Sequence, residues 1–400
     1  MTIATEPKQR PKGLLIANLM AQLAFGLLAM TICLPSMQEW GAIFDAGQAA
    51  VQLTFSGFVV TYGSLQLIYG PLSDRIGRKK VMVLGLSVAV AGSLLAALAP
   101  DLNSLIWARV LQGAGAAASM VVGRAMVQDL FDGAERTRVM AFVSMAMGLC
   151  PPLATILGGQ LHVQLGWQAN FVVIAVLGGL LIVAAWRGLP DHQKPVEVQP
   201  HWLRTMGAAY MTLLREPTFL LYVAILAMAT ATFYAFLGAV PTVMGSYGVG
   251  PDGVGFYIMA IPFSYIVGSY LTARLIRSVG NRRMMQFGQG LTLASIVLML
   301  VLALIGLDSP LAFILPLLFL GIGHGLMVPP SLSGTVGLMP ALAGSAAAVA
   351  GLAQQLTGAL GGFAVGLFPQ NGAVNLGWLM LFFASCGALA QWFLHRRAPR

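Results

Sequence analysis

Apolar residues in this chain come in long runs, each closed by a charge, a proline or a glycine. Twelve such runs lie near residues 14–37, 51–71, 79–99, 103–130, 137–160, 168–188, 218–242, 252–275, 283–306, 310–330, 342–367 and 374–394. A helix of about 20 apolar residues crosses the hydrocarbon core of a bilayer while satisfying its own backbone hydrogen bonds. The pattern therefore predicts an all-α membrane protein with twelve transmembrane helices. The first run is longer than the apolar segment of a cleavable signal peptide, so it is expected to remain as helix one.

The connectors between the runs alternate in charge. One set, with the two tails, holds Lys8, Arg10 and Lys12; Arg75, Arg78, Lys79 and Lys80; Arg136 and Arg138; Arg187, Lys194, Arg204 and Arg215; Arg274, Arg277, Arg282 and Arg283; and Arg396, Arg397 and Arg400. Of the 22 Lys and Arg residues, only Arg109 and Arg124 lie elsewhere. The opposite connectors carry no Lys or Arg, and their charges are Glu39, Asp45, Asp101, Asp252 and Asp308. Because basic loops are retained in the cytoplasm, both termini are expected there, with the chain multi-pass in a bacterial inner membrane.

One long polar connector, with Pro190, Pro195 and Pro200, divides the chain into a six-helix bundle at 1–189, a linker at 190–217 and a second bundle at 218–400. The stretch GPLSDRIGRKK from Gly70 to Lys80 aligns with ARLIRSVGNRR from Ala273 to Arg283 when Gly77 is set on Gly280. The two halves thus read as parallel repeats, a known transporter plan.

Composition supports the membrane reading: 58% of residues are hydrophobic and 9% charged, against about 25% charged in a soluble domain. The net charge of +9 sits in short loops between spans, so nucleic acid is not an expected partner. Cys33, Cys150 and Cys386 are scattered through apolar runs with no CxxC, and read as packing residues. No GK[ST] loop, GxSxG or metal-ligand spacing is present. Neither an enzyme nor an ATP-driven pump is expected, and no cofactor or metal.

Several charged and helix-breaking residues stand out from this background. Asp74 stands where the second run meets the cytoplasm, and a carboxylate there can face the positive N-terminus of a neighbouring helix. Lys79 and Lys80 read as a solvated turn, and for Asp74, Gly77 and Arg78 a solvated turn and a structural role are both open. Arg109, about two turns inside the fourth run, must face protein or a water-filled cavity, because lipid contact costs several kcal/mol. Gln112 and Gly113 share its helix face. Arg109 is expected to point at a central cavity; the other reading is a buried Arg satisfied by backbone carbonyls. Arg124 lies nearer the cytoplasmic end, where cavity lining and snorkelling are both open. Pro151 and Pro152 with Gly158 and Gly159 predict a bent, tightly packed fifth span.

These motifs resemble the major facilitator superfamily and, within it, the drug/proton antiporter branch that includes bicyclomycin and chloramphenicol resistance exporters. Gly70-Pro-Leu-Ser-Asp74-Arg75-Ile-Gly77-Arg78-Lys79-Lys80 is similar to the superfamily's loop signature between spans two and three. Arg109-Val-Leu-Gln112-Gly113-Ala-Gly115 is similar to the RxxQGxG of proton-linked members. Leu34-Pro35, Gly123-Arg124 to Asp129, and Ala343-Gly344-Ser345-Ala346 point to the branch, and Pro151, Pro152, Gly158 and Gly159 match part of an exporter signature. The resemblance implies two pseudo-symmetric six-helix bundles and a latch of Gly70, Asp74, Arg75, Gly77, Arg78 and Asp129, with Asp74 facing the start of span eleven near Ser345.

The chain departs from that branch where coupling is expected. Relatives of this type carry an Asp in mid-span one, one turn before the Leu-Pro pair; here the position is Thr31, and all 13 acidic residues fall in tails, connectors or span ends. Proton coupling needs a group that titrates in the working range. His324, in Gly321-Ile-Gly323-His324-Gly325, is the one His inside a run, with glycine neighbours that would leave room for water or ligand. A neutral His donating to a backbone carbonyl is the other reading. Coupling is assigned to His324 or, failing it, the Asp74/Asp129 cluster or Glu39.

The substrate cavity is expected at mid-membrane between the halves, lined by Thr31, Phe58, Tyr62, Met120, Met147, Phe233, Tyr234 and Gln355. A cavity with Arg109 and His324 but no acid favours neutral or anionic amphipathic compounds over cations. The expected function is secondary active multidrug efflux by alternating access in exchange for protons; the alternative is a metabolite or antibiotic exporter acting as a uniporter. Expected partners are a small-molecule substrate, protons and membrane lipids, with a monomer as the working unit.

Overall fold

The computed structural model describes residues 12–190, 202–339, 342–369 and 372–397, all helix or short turn. The first half comprises α1 (Lys12–Thr31), a short α2 (Met37–Ile43), α3 (Gln48–Ile76), α4 (Arg78–Ala97), α5 (Leu102–Leu130), α6 (Gly133–Leu165) and α7 (Gln168–Gly188). After α8 (Trp202–Leu214) come α9 (Pro217–Ser246), α10 (Pro251–Val279), α11 (Asn281–Leu304), α12 (Pro310–Gly337), α13 (Ala343–Val365) and α14 (Val374–Arg397). Eleven of these helices are long and apolar enough to cross a membrane. With α6, 33 residues long and apolar along its middle, the spans number twelve. Leu180, Phe263 and Phe382 are more than half exposed on outer faces, where lipid is the solvent that makes such exposure tolerable.

Three expected boundaries move. The first span stops at Thr31 rather than 37, because Pro35 has no N–H with which to continue the helix; the chain turns and restarts as α2. The fifth span runs to Leu165 rather than 160, so His162 lies inside a helix too and His324 is not alone. The polar connector contains α8, whose Leu213 is buried against Phe219, Val223, Ala346 and Ala350 of the second half. Lys8, Arg10, Lys194, Pro195, Pro200 and Arg400 lie outside the described residues.

The repeat seen in sequence has a structural counterpart. Gly77 ends α3 at φ 103° and Gly280 ends α10 at φ 81°, each also starting the next helix. Both conformations are left-handed and cost a residue with a Cβ, so the same reversal is made once in each half. At its other end α5 is fixed by Asp101, which accepts from the Ser104 N–H at 2.8 Å. That hydrogen bond holds the Asp101 carboxyl below its usual range.

The halves meet along two seams, α3 on α13 and α6 on α10. Hydrogen bonds between the halves, most of them from α2 and α3 to α9 and the loop after it, gather at the end away from the termini. There Gln38 Nε2 donates to Val249 O at 3.0 Å, Gln48 Nε2 to Thr242 Oγ1 at 3.0 Å, Gln52 Nε2 to Gly238 O at 2.7 Å, and Ser56 Oγ to Ala359 O at 3.0 Å. The same end is closed by backbone: a Cβ on Gly159 would strike the Pro251 carbonyl, and one on Gly255 the Ile156 backbone.

Candidate functional site

At the termini end, the α3–α4 turn carries a cluster of charges. Arg78 pairs with Asp74 at 2.6 Å and with Asp129 at 3.1 Å, and donates to Ser73 Oγ at 2.6 Å. One guanidinium, whose fork suits two carboxylates, thus ties the turn to the last residues of α5. Gly77 sets the reversal, and Gly70 passes close to Val121. The Asp74 carboxylate pairs with Arg78 inside the first half, and among the described residues no hydrogen bond or ion pair joins Asp74 or Arg78 to Ser345 at the start of α13.

Arg109 is fully buried, and it does not point into an open cavity. Its Nη1 donates to Ala29 O at 2.8 Å and to Gln112 Oε1, Nη2 to Met30 O at 3.3 Å, and Nε to Thr54 O at 3.4 Å. The guanidinium carbon lies 4.3 Å from the Phe58 ring centroid. Ala29 and Met30 belong to the last turn of α1, whose carbonyls have no further helical N–H to accept. Arg109 therefore caps the helix that Pro35 terminates. Gln112 extends the network to Ser93 Oγ at 2.8 Å, and Gly113 lets α5 reach the Phe58 carbonyl of α3. Thr31, Phe58 and Tyr62, expected to contact substrate, are buried in this packing: the Thr31 hydroxyl donates to Leu27 O at 2.8 Å, and Tyr62 stacks on Phe58.

A cavity of about 250 Å³ opens between α6 and the second half, lined among others by Met147, Pro151, Phe233, Tyr265, His324 and Gln354. Of the residues expected to contact substrate, Met147 and Phe233 line it. His324 is buried, and its Nε2 has no hydrogen-bond partner among the described residues. Its glycine neighbours do not provide the room, which corrects the sequence reading: Gly321 abuts Ser264, Gly323 abuts Thr292 and Gly325 abuts the α10 backbone. Space beside His324 comes instead from the gap between the halves. Tyr234 donates to Gln355 Oε1 at 3.0 Å and meets Phe55 edge-on at 5.5 Å, a contact between halves next to Phe233.

A second space, about 410 Å³, lies between α3, α5 and α13 toward the termini end, where Met120, Arg124, Gln66, Gln128 and Tyr210 line it. Sequence reasoning missed Tyr265, Gln354, Gln66 and Gln128, although a glutamine within an apolar run is itself a signal. It also missed the partner of Glu39, which is His162 Nε2 at 2.9 Å. In the fifth span α6 runs on through Pro151 and Pro152, with Thr155 Oγ1 bonding back to both of their carbonyls. Gly158 abuts Ile32 O, and Gly159 reaches the other half.

Known proteins resemble this chain in sequence and fold. The model of the Major Facilitator Superfamily matches residues 14–362. The chain is 28% identical over 382 residues to Multidrug resistance protein D of Escherichia coli (strain K12), covering 93% of each. It is 28% identical over 368 residues to a chloramphenicol resistance protein of Pseudomonas aeruginosa, covering 90% of this chain and 86% of that one. A solved bacterial homolog of the human lysosomal transporter Spinster, inward-facing and unoccupied, matches with a TM-score of 0.76 at 14% identity over 97% of both chains.

Proposed function

Because this chain belongs to the Major Facilitator Superfamily, we propose that it is a secondary active multidrug exporter that works by alternating access. Its two half-bundles, 1–189 and 218–400, rock about the cavity between them, with 190–217 as the connection. It sits as a monomer in the lipid of a bacterial inner membrane, and the termini end faces the cytoplasm because the basic loops are there. Resistance proteins among its relatives support drug-like cargo.

The observation that carries this reading is the asymmetry of the seam. Hydrogen bonds between the halves cluster at one end, and a groove opens at the other. That is the arrangement of a carrier with one gate shut and its opposite open. The Asp74–Arg78–Asp129 cluster acts as the latch, released from α13 in this state and engaged when the groove closes.

Proton exchange is assigned to His324, which lines the central cavity with an unsatisfied nitrogen. The remaining candidates are the latch carboxylates and the Glu39–His162 pair. A uniporter is the second reading, favoured by Thr31 standing where the branch carries an acid. Proteoliposomes with an imposed pH gradient separate the two. Wild type should concentrate a drug only while the gradient lasts, and His324→Asn should equilibrate it without concentrating it. Coupling that survives in His324→Asn removes this residue from the mechanism, and a wild type indifferent to the gradient is a uniporter.

A further inference from the structure

We propose that Arg124 is the anion-recognising residue of the transport path, so that the preferred cargo carries a carboxylate or sulfonate on an apolar body. This rests on the exporter reading above and narrows its substrate class.

Arg109 and Arg124 are the two basic residues outside the connectors and tails, and their surroundings are opposite. Arg109 is enclosed and spends its donors on carbonyls. The Arg124 side chain is exposed in the groove and has no hydrogen bond or ion pair among the described residues. The carboxylates of that end are committed elsewhere: Asp74 and Asp129 to Arg78, and Glu135 to Lys12. No acid lines the groove. Gln66, Gln128 and Tyr210 add polar groups around Arg124, while Gly344, Ala347 and Gly351 of α13 form a smooth apolar wall opposite. A guanidinium with free donors beside such a wall fits an amphipathic anion, and nothing there would neutralise an organic cation.

Alternating access sharpens the argument. While the groove is open, water solvates Arg124. When the halves close over it water leaves, and a desolvated cation without a partner is costly. An anionic cargo supplies that partner, so closure favours the loaded carrier. A phospholipid phosphate offers the same chemistry, so the test must tell cargo from lipid.

Purified wild type, Arg124→Gln and Arg124→Lys are reconstituted, and binding of 1-anilinonaphthalene-8-sulfonate is compared with its uncharged counterpart N-phenyl-1-naphthylamine. Wild type should prefer the sulfonate by about tenfold or more, the value of one charge-assisted contact. Arg124→Gln should lose that preference with the neutral probe unaffected, and Arg124→Lys should keep part of it. Equal affinities in wild type, or a preference that persists in Arg124→Gln, overturn the proposal. Extrusion of the neutral probe from cells reports export independently, so that failure leaves the exporter reading standing. The binding is repeated in phosphatidylcholine with and without phosphatidylglycerol. A sulfonate preference that vanishes when phosphatidylglycerol is added means that Arg124 holds a lipid headgroup, which also overturns the proposal; an unchanged preference supports cargo recognition.

Discussion

Arg109 is visible in sequence as a charge inside a span, where lipid contact is excluded. Its destination is not visible, because the carbonyls that accept it become available only where α1 ends. The end of α1 depends on Pro35 and on α5, α6 and α7 packing around the turn. His324 shows the same limit. Small neighbours in sequence can mean empty space or a close backbone, and here Gly321, Gly323 and Gly325 mean the latter. If Arg109 is the cap of α1, Arg109→Ala should cost about 1–3 kcal/mol for each buried carbonyl left unpaired. Thermal unfolding in detergent measures this, and a midpoint unmoved from wild type would mean that the carbonyls have found other donors.

Elements were more legible than contacts. Run lengths and charge alternation located every span, because a bilayer demands continuous apolar helix. The ends were less certain: polar termini can be helical too, which is how His162 and its bond to Glu39 at 2.9 Å escaped notice. The repeated turn tests how function is shared between the halves. Gly77→Val and Gly280→Val should each lose stability, by about 1–3 kcal/mol, since both positions have left-handed φ. Transport at matched protein levels should fall much further for Gly77→Val, because the α3–α4 turn carries the Arg78 cluster, whereas GNRR at the α10–α11 turn has no acid. Equal losses of transport would mean that the charge cluster contributes nothing beyond the turn.

At the scale of the molecule, the duplicated architecture was readable from the Gly77 and Gly280 stretches, but which end of the cleft is shut was not. That depends on a balance between two packings of the same helices, which differ by little. Gln52 offers a way to tilt the balance. Its amide donates across the seam to Gly238 O at 2.7 Å in a buried position. Gln52→Leu should weaken the closed end by about 1 kcal/mol, a several-fold change in population. Spin-label distances across that end should broaden toward longer values, and a distribution identical to wild type would mean that the glutamine does not hold the gate.

The cap on α1 has a mechanical corollary. One guanidinium reaches carbonyls of α1 and α3 from its seat on α5, and its glutamine neighbour reaches α4. Four helices riveted at one point resist sliding past one another there. In the rocking motion proposed above, the stroke then falls chiefly at the boundary of the first half with its twin, where a few amide side chains provide fastenings that a modest force can undo.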